Sequence, residues 1–246
     1  MKFAGERRAL AAVVFIFYAI AYLGLALSAL QPTLGPSFYA LGSVYGLAFF
    51  SLVAGYFWAR WFAIGVGIYG IIVGALGMWQ LGAEPLILFI GGTHLAAVML
   101  LWGQGMSTSF DGKLAWREKF HMDENAVQRL GRSVIRAGVS LPIVLLYALA
   151  PKQPAEAVAG AAAFLLVGFG LRALVQMKTW GVIALGASGA LMLAMGASHA
   201  MHAGHHWTLF PMISGALLLS AAAPFRGTPS TALQATGSAC LSCVSA

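Results

Sequence analysis

The chain has 246 residues, 60% of them apolar and only 9% charged, with a formal net charge of +7. A soluble domain carries about 25% charged residues, so a water-soluble globular protein is excluded, and the apolar content excludes a disordered chain. Two cysteines, Cys240 and Cys243, are too few for a disulfide-stapled secreted domain. What remains is an all-α, polytopic integral membrane protein.

A helix needs roughly 20 apolar residues to cross the hydrocarbon. Eight stretches approach that length, at about 9–30, 37–58, 61–81, 85–104, 134–150, 155–175, 180–201 and 207–224. Membrane β-barrels alternate apolar and polar positions, whereas AVVFIFYAIAYLGLALSAL is continuously apolar. Helices are therefore expected throughout. The fifth stretch is the weakest, because Arg136 interrupts it and Pro142 lies inside. It is kept because an arginine can snorkel to the interface.

Charge sets the orientation. With a cytoplasmic N-terminus, 13 of the 14 lysines and arginines fall on the inside, and only Lys152 falls outside. That asymmetry predicts a multi-pass protein of the cell (inner) membrane with both termini cytoplasmic. The basic residues are spread over several loops, so they mark topology and attraction to lipid headgroups. They are not a nucleic-acid footprint.

Four regions follow: a first four-helix half (1–104), a cytoplasmic loop (105–133), a second four-helix half (134–225) and a disordered cytoplasmic tail (226–246). Trp61, Gly67, Gly70 and Gly77 recur as Trp180, Gly186, Gly189 and Gly196, each 119 residues on. Four spans per unit would make this a parallel 4+4 tandem repeat. Small residues four apart, such as Gly42 and Gly46 or Gly70 and Gly74, allow close helix packing. In the central loop, Val127, Leu130, Val134 and Ile135 form an apolar stripe on a helix that Asp123 would cap. It is expected to lie on the inner leaflet, or to dock a protein partner. The lipid bilayer is the other partner, and a homo-oligomer is open.

Potential ligands concentrate in MLAMGASHAMHAGHHW, at the outer end of the seventh span. His199 and His202 are three apart, on one helical face, with His205 and His206 following and Met195 one turn before. Imidazole suits copper, zinc, iron or nickel, and thioether favours Cu(I). A transition-metal site of copper or zinc is thus the expected chemistry, and solvated interfacial histidines beside Trp207 are the alternative. HAGHH resembles one histidine box of membrane di-iron desaturases. Those need several converging boxes, which His94 and His121 do not supply. GASGA around Ser188 resembles the serine motif of rhomboid proteases, but no later span offers a histidine.

His94 sits mid-span in FIGGTHLAAVM. An ionisable residue there is a functional candidate by default, either a second metal site or one pole of a haem. The alternative is a neutral imidazole bonded to a neighbouring helix through Thr93 or a tyrosine. The CxxC formed by Cys240 and Cys243 gives only two of the four ligands a structural zinc needs.

The sequence thus points to binding or passage of a transition metal through the outward His/Met cluster, without catalysis. An accessory subunit of a larger membrane complex is the alternative, and a haem-binding electron-transfer subunit is a third. The charge asymmetry makes a direct prediction. Reporter fusions after Lys119 and after Arg226 should both report cytoplasm, and one after Glu84 the exterior. An exterior Arg226 fusion would overturn the even span count.

Overall fold

The structure, a computed structural model, describes residues 4–28, 32–103, 106, 110, 124–150, 153–176, 178–203 and 209–223. Among them there are eight α-helices and no strands. These are α1 (Ala4–Leu27), α2 (Gly35–Ala54), α3 (Ala59–Leu81), α4 (Pro85–Leu101), α5 (Glu124–Leu149), α6 (Pro154–Val175), α7 (Trp180–Ala203) and α8 (Leu209–Ala222). Six are long and apolar enough to cross a membrane; α4, with 17 residues, and α8, with 14, are shorter. The start and stop signals are local. Proline opens α2, α4 and α6, where its missing N–H costs nothing. Gly55, at φ 72°, ends α2 in the left-handed conformation and returns its N–H to the Ser51 and Leu52 carbonyls.

Consecutive helices run antiparallel, and each set of four closes into a ring. In the first, α1 packs on α2, α2 on α3, α3 on α4, and α4 returns to α1. In the second, α5, α6, α7 and α8 do the same. The two sets join where α3 and α2 meet α5.

α5 differs from the expected arrangement. It runs unbroken from Glu124 to Leu149, so the segment expected on the leaflet surface is the first part of the fifth helix. Val127, Leu130 and Val134 are buried in the protein, and Gly131 lies against the Trp61 ring. The stripe finds a protein surface to cover, and the amphipathic segment has no need to lie flat. Positions 105, 107–109 and 111–123 of the central loop, and the tail after 223, lie outside the described residues.

Glycine governs how closely the helices approach. A Cβ on Gly65 would come within 2.9 Å of Gly138 Cα, joining α3 to α5. A Cβ on Gly74 would come within 2.8 Å of Gly91 Cα between α3 and α4. Gly170 faces Gly181 between α6 and α7, and Gly189 faces Gly215 between α7 and α8. Lipid tails are as apolar as the helices, so close backbone packing replaces the hydrophobic drive available in water. Of the glycine pairs read from spacing, Gly70 and Gly74 both meet α4 and Gly42 meets Leu23 of α1, while Gly46 has nothing within 4 Å.

One end of the bundle is capped by arginine. Helix C-termini leave carbonyls without intrahelical donors, and a cation there also complements the helix dipole. Arg7 donates to the Met99 and Trp102 carbonyls (3.0 and 2.9 Å), and Arg60 to those of Leu101 and Gly103 (2.9 and 3.0 Å), all at the end of α4. Arg8 serves Val53 at the end of α2, and Arg136 serves Ser220 at the end of α8. Arg136 is therefore tied to α8 inside the bundle and does not simply reach for water.

The glycine contacts are testable by contrast. Gly65→Val should lower stability by about 1–3 kcal/mol, the usual cost of overpacking, because it forces α3 from α5. Gly46→Val should stay within about 0.5 kcal/mol. Unfolding midpoints in mixed micelles compare the two.

Candidate functional site

The described residue that best meets the expectation of a buried reactive group is His94, ten residues into α4. It is 1% exposed. Its Nδ1 lies 2.8 Å from the Ile90 carbonyl, one turn back on the same helix. A carbonyl only accepts, so Nδ1 carries the hydrogen. In the neutral ring Nε2 is then an acceptor, and the Tyr45 hydroxyl donates to it at 2.7 Å. Thr93 has a different role from the one expected of it. Its hydroxyl donates to the Phe89 carbonyl at 2.7 Å and receives the Tyr18 hydroxyl at 2.6 Å. The partner of His94 is thus a tyrosine, and Thr93 partners a second tyrosine.

Four helices supply this cluster. Tyr18 comes from α1, Tyr45 from α2, Gly70 from α3, and Thr93 with His94 from α4. The Tyr18 and His94 rings lie 4.2 Å apart between centroids, tilted by 39°, and Tyr45 stands edge-on to His94 at 5.6 Å. Phe15 and Tyr22 complete the aromatic shell around Tyr45, at 6.1 and 5.4 Å. These separations fall near the favourable range for tilted aromatic pairs. On the remaining side the imidazole rests directly on the backbone of Gly70, and any Cβ there would occupy the ring's own space. Both ring nitrogens are bonded and the ring faces are covered. As it stands, His94 offers no lone pair to a metal or a haem iron.

The outer cluster is only partly described. Met192 and Met195 are buried, at 0% and 8% exposure, on the inward face of α7. The helix backbone continues through positions 199 and 202 to Ala203. The side chains of His199 and His202, and all of His205 and His206, lie outside the described residues. So do the side chain of Met201 and all of His121, Cys240 and Cys243. Among the described residues no three of His, Cys, Asp or Glu come together.

Ser188 is buried, and its hydroxyl donates to the Ala163 carbonyl at 2.9 Å. That bond fastens α7 to α6. Ser133 does the same between α5 and α8, donating to the Ala221 carbonyl at 2.7 Å. Serine spacing on an apolar helix signals such cross-links, and no sequence cue specifies the partner.

Fold and composition thus define a helical bundle of membrane-spanning character, with a closed polar–aromatic cluster in its first half. Comparison with protein-family models, curated proteins and solved structures gave no match.

Two substitutions separate the parts of the cluster. Tyr45→Phe leaves a buried Nε2 without its donor and should cost about 0.6–1.7 kcal/mol, between the average and the maximum measured for interhelical bonds in a bilayer. Gly70→Ala drives a methyl into the imidazole and should cost more, about 1–3 kcal/mol. Equal unfolding midpoints for Gly70→Ala and the parent protein would contradict the packing described.

Proposed function

We propose that this chain is an eight-span protein of the cell (inner) membrane whose second half binds a transition metal, copper or zinc, at the outer end of α7. The observation that carries the reading is the continuity of α7 through Ala203. Positions 195, 199 and 202 then follow at i, i+4 and i+7, one line along a helix. That line extends the register of buried Met192 and Met195. A thioether beside imidazoles is a donor set that suits Cu(I), and imidazoles alone suit zinc. His94, with both nitrogens bonded, enters as the anchor of the first half and not as a ligand. The same bonds leave the haem reading with little support.

Both termini are cytoplasmic in this reading, and the arginine end faces inward. Eight spans require α4 and α8 to cross despite their length. At 1.5 Å per residue they cover about 26 and 21 Å, against a hydrocarbon core of about 30 Å, a mismatch that local thinning accommodates. Both are the fourth helix of their half, which supports the tandem repeat. So do the glycine contacts. Gly67 meets Val98 and Gly77 meets Ile87, as Gly186 meets Ala222 and Gly196 meets Met212.

A second reading, an accessory subunit without a metal, is favoured by one observation. The polar groups of the Tyr18–Tyr45–Thr93–His94 cluster bond to one another and to helix carbonyls, as expected of a part that holds shape. Metal analysis of detergent-purified protein decides between the two. The metal reading expects stoichiometric copper or zinc. It also expects the variant with alanine at positions 199, 202 and 206 to lose that metal while its unfolding midpoint stays within about 0.5 kcal/mol of the parent. Metal-free parent protein, or a variant that keeps its metal, would leave the accessory reading in its place.

A further inference from the structure

The two halves do not meet along their whole length. Beside the Gly65–Gly138 joint, α2 and α6 diverge over the flank of α5 and leave a lateral groove of about 640 Å³. That volume is in the range of ordinary ligand pockets. Its floor is Leu141 and Leu145 of α5, and its walls include Val44 and Leu47 of α2 with Phe164 and Gly168 of α6. Polarity is confined almost entirely to one end, where Arg172 and Gln176 form the rim beside Trp58. Ser43, the other polar residue of the lining, turns its hydroxyl back to the Tyr39 carbonyl of its own helix at 2.9 Å.

Arg172 differs from the arginines that cap helix ends. Arg7, Arg8, Arg60 and Arg136 are all bonded to the carbonyls of another helix. Arg172 is exposed in the last turn of α6, and its side chain has no partner among the described residues. Among the carboxylates whose side chains are described, Glu84 and Glu156 lie at the opposite end, and Glu6 belongs to α1, which packs mainly on α2 and α4. Trp58 is stacked on Tyr56, with ring centroids 5.7 Å apart and 8° between planes. Such an aromatic pair is typical of the headgroup level.

We infer that this groove holds one anionic phospholipid, its phosphate on Arg172 and one acyl chain along the apolar channel between α2 and α6. The dimensions agree. From Phe164 to Gln176 the channel follows α6 for about 18 Å at 1.5 Å per residue, and one leaflet contributes about 15 Å of hydrocarbon. Charge agrees as well, because an exposed guanidinium with no partner among the described residues, at the mouth of an apolar channel, complements a phosphate whose tails are apolar. Basic pockets between spanning helices on the cytoplasmic side are recognised lipid headgroup sites. The inference rests on the membrane reading above, with the arginine end inward, and is independent of the metal.

Native mass spectrometry of the full chain, released from detergent, tests it with dioleoylphosphatidylglycerol and dioleoylphosphatidylcholine as probes. The parent protein should retain one phosphatidylglycerol in preference to phosphatidylcholine. Arg172→Gln should lower phosphatidylglycerol affinity about fivefold, as expected for one basic side chain at an anionic surface, and leave phosphatidylcholine unchanged. Gly168→Leu should block both lipids, since Gly168 lines the groove and open space surrounds a Cβ there, so the longer side chain projects into the channel. Glycerol phosphate, which has the headgroup and no tails, should not compete. Equal retention of both lipids by the parent and Arg172→Gln would overturn the proposal, as would lipid binding that survives Gly168→Leu. The reporter fusions read the membrane topology separately, so a failed lipid site remains distinct from a failed topology.

Discussion

The close approach of helix backbones at glycine is the constraint on which the rest of this structure depends. In lipid there is little to gain by hiding one apolar side chain behind another, so association must come from contact area and from bonds between helices. Gly65 against Gly138, Gly74 against Gly91, Gly170 against Gly181 and Gly189 against Gly215 bring helix axes close enough for both. Part of a composition with 30 glycines then has a mechanical explanation. Those eight glycines lie at joints, others such as Gly46 and Gly168 face open space, and the exposed faces carry residues such as Phe17, Ile20, Phe50 and Leu95.

The halves use that closeness differently. In the first, Gly70 makes room for an imidazole, and the polar atoms brought together there satisfy one another. Aromatic rings then fill the space around them. In the second half, serines such as Ser133 and Ser188 each reach a carbonyl of a neighbouring helix, and Arg136 reaches that of Ser220. A histidine wedged among four helices fixes their rotation about their own axes. Isolated serines tolerate small shifts. The first half is therefore the more rigidly specified of the two, and the buried methionines Met192 and Met195 of α7 belong to the more adaptable one.

The sequence specifies the positions of the helices well, because the length of an apolar run is a local property. Proline at the openings and Gly55 at a close are local signals too. It also singles out His94, since an imidazole in an apolar run is conspicuous. Its partner is another matter. Tyr45 lies 49 residues away, and nothing near either residue says which way α2 and α4 turn toward each other. Arg136 shows the same limit. Its interruption of an apolar run is visible, but the Ser220 carbonyl it serves is 84 residues distant. The stripe at Val127, Leu130 and Val134 has the pattern of a helix lying on lipid. Amphipathicity reports two unlike sides and not what covers the apolar one, here α3 at Trp61. The exposure of Arg172 beside an apolar groove is hidden for the same reason: it is a property of the neighbours.

The arginine bonds at the end of α4 also carry information about time. Arg7 belongs to the first turn of α1, yet the carbonyls it serves are those of Met99 and Trp102, more than ninety residues later. Chains are synthesised and fold from the N-terminus, so this guanidinium waits through three further helices before its acceptors exist. The first ring therefore closes as a discrete late event, when the emerging end of α4 reaches the beginning of the chain and fastens it.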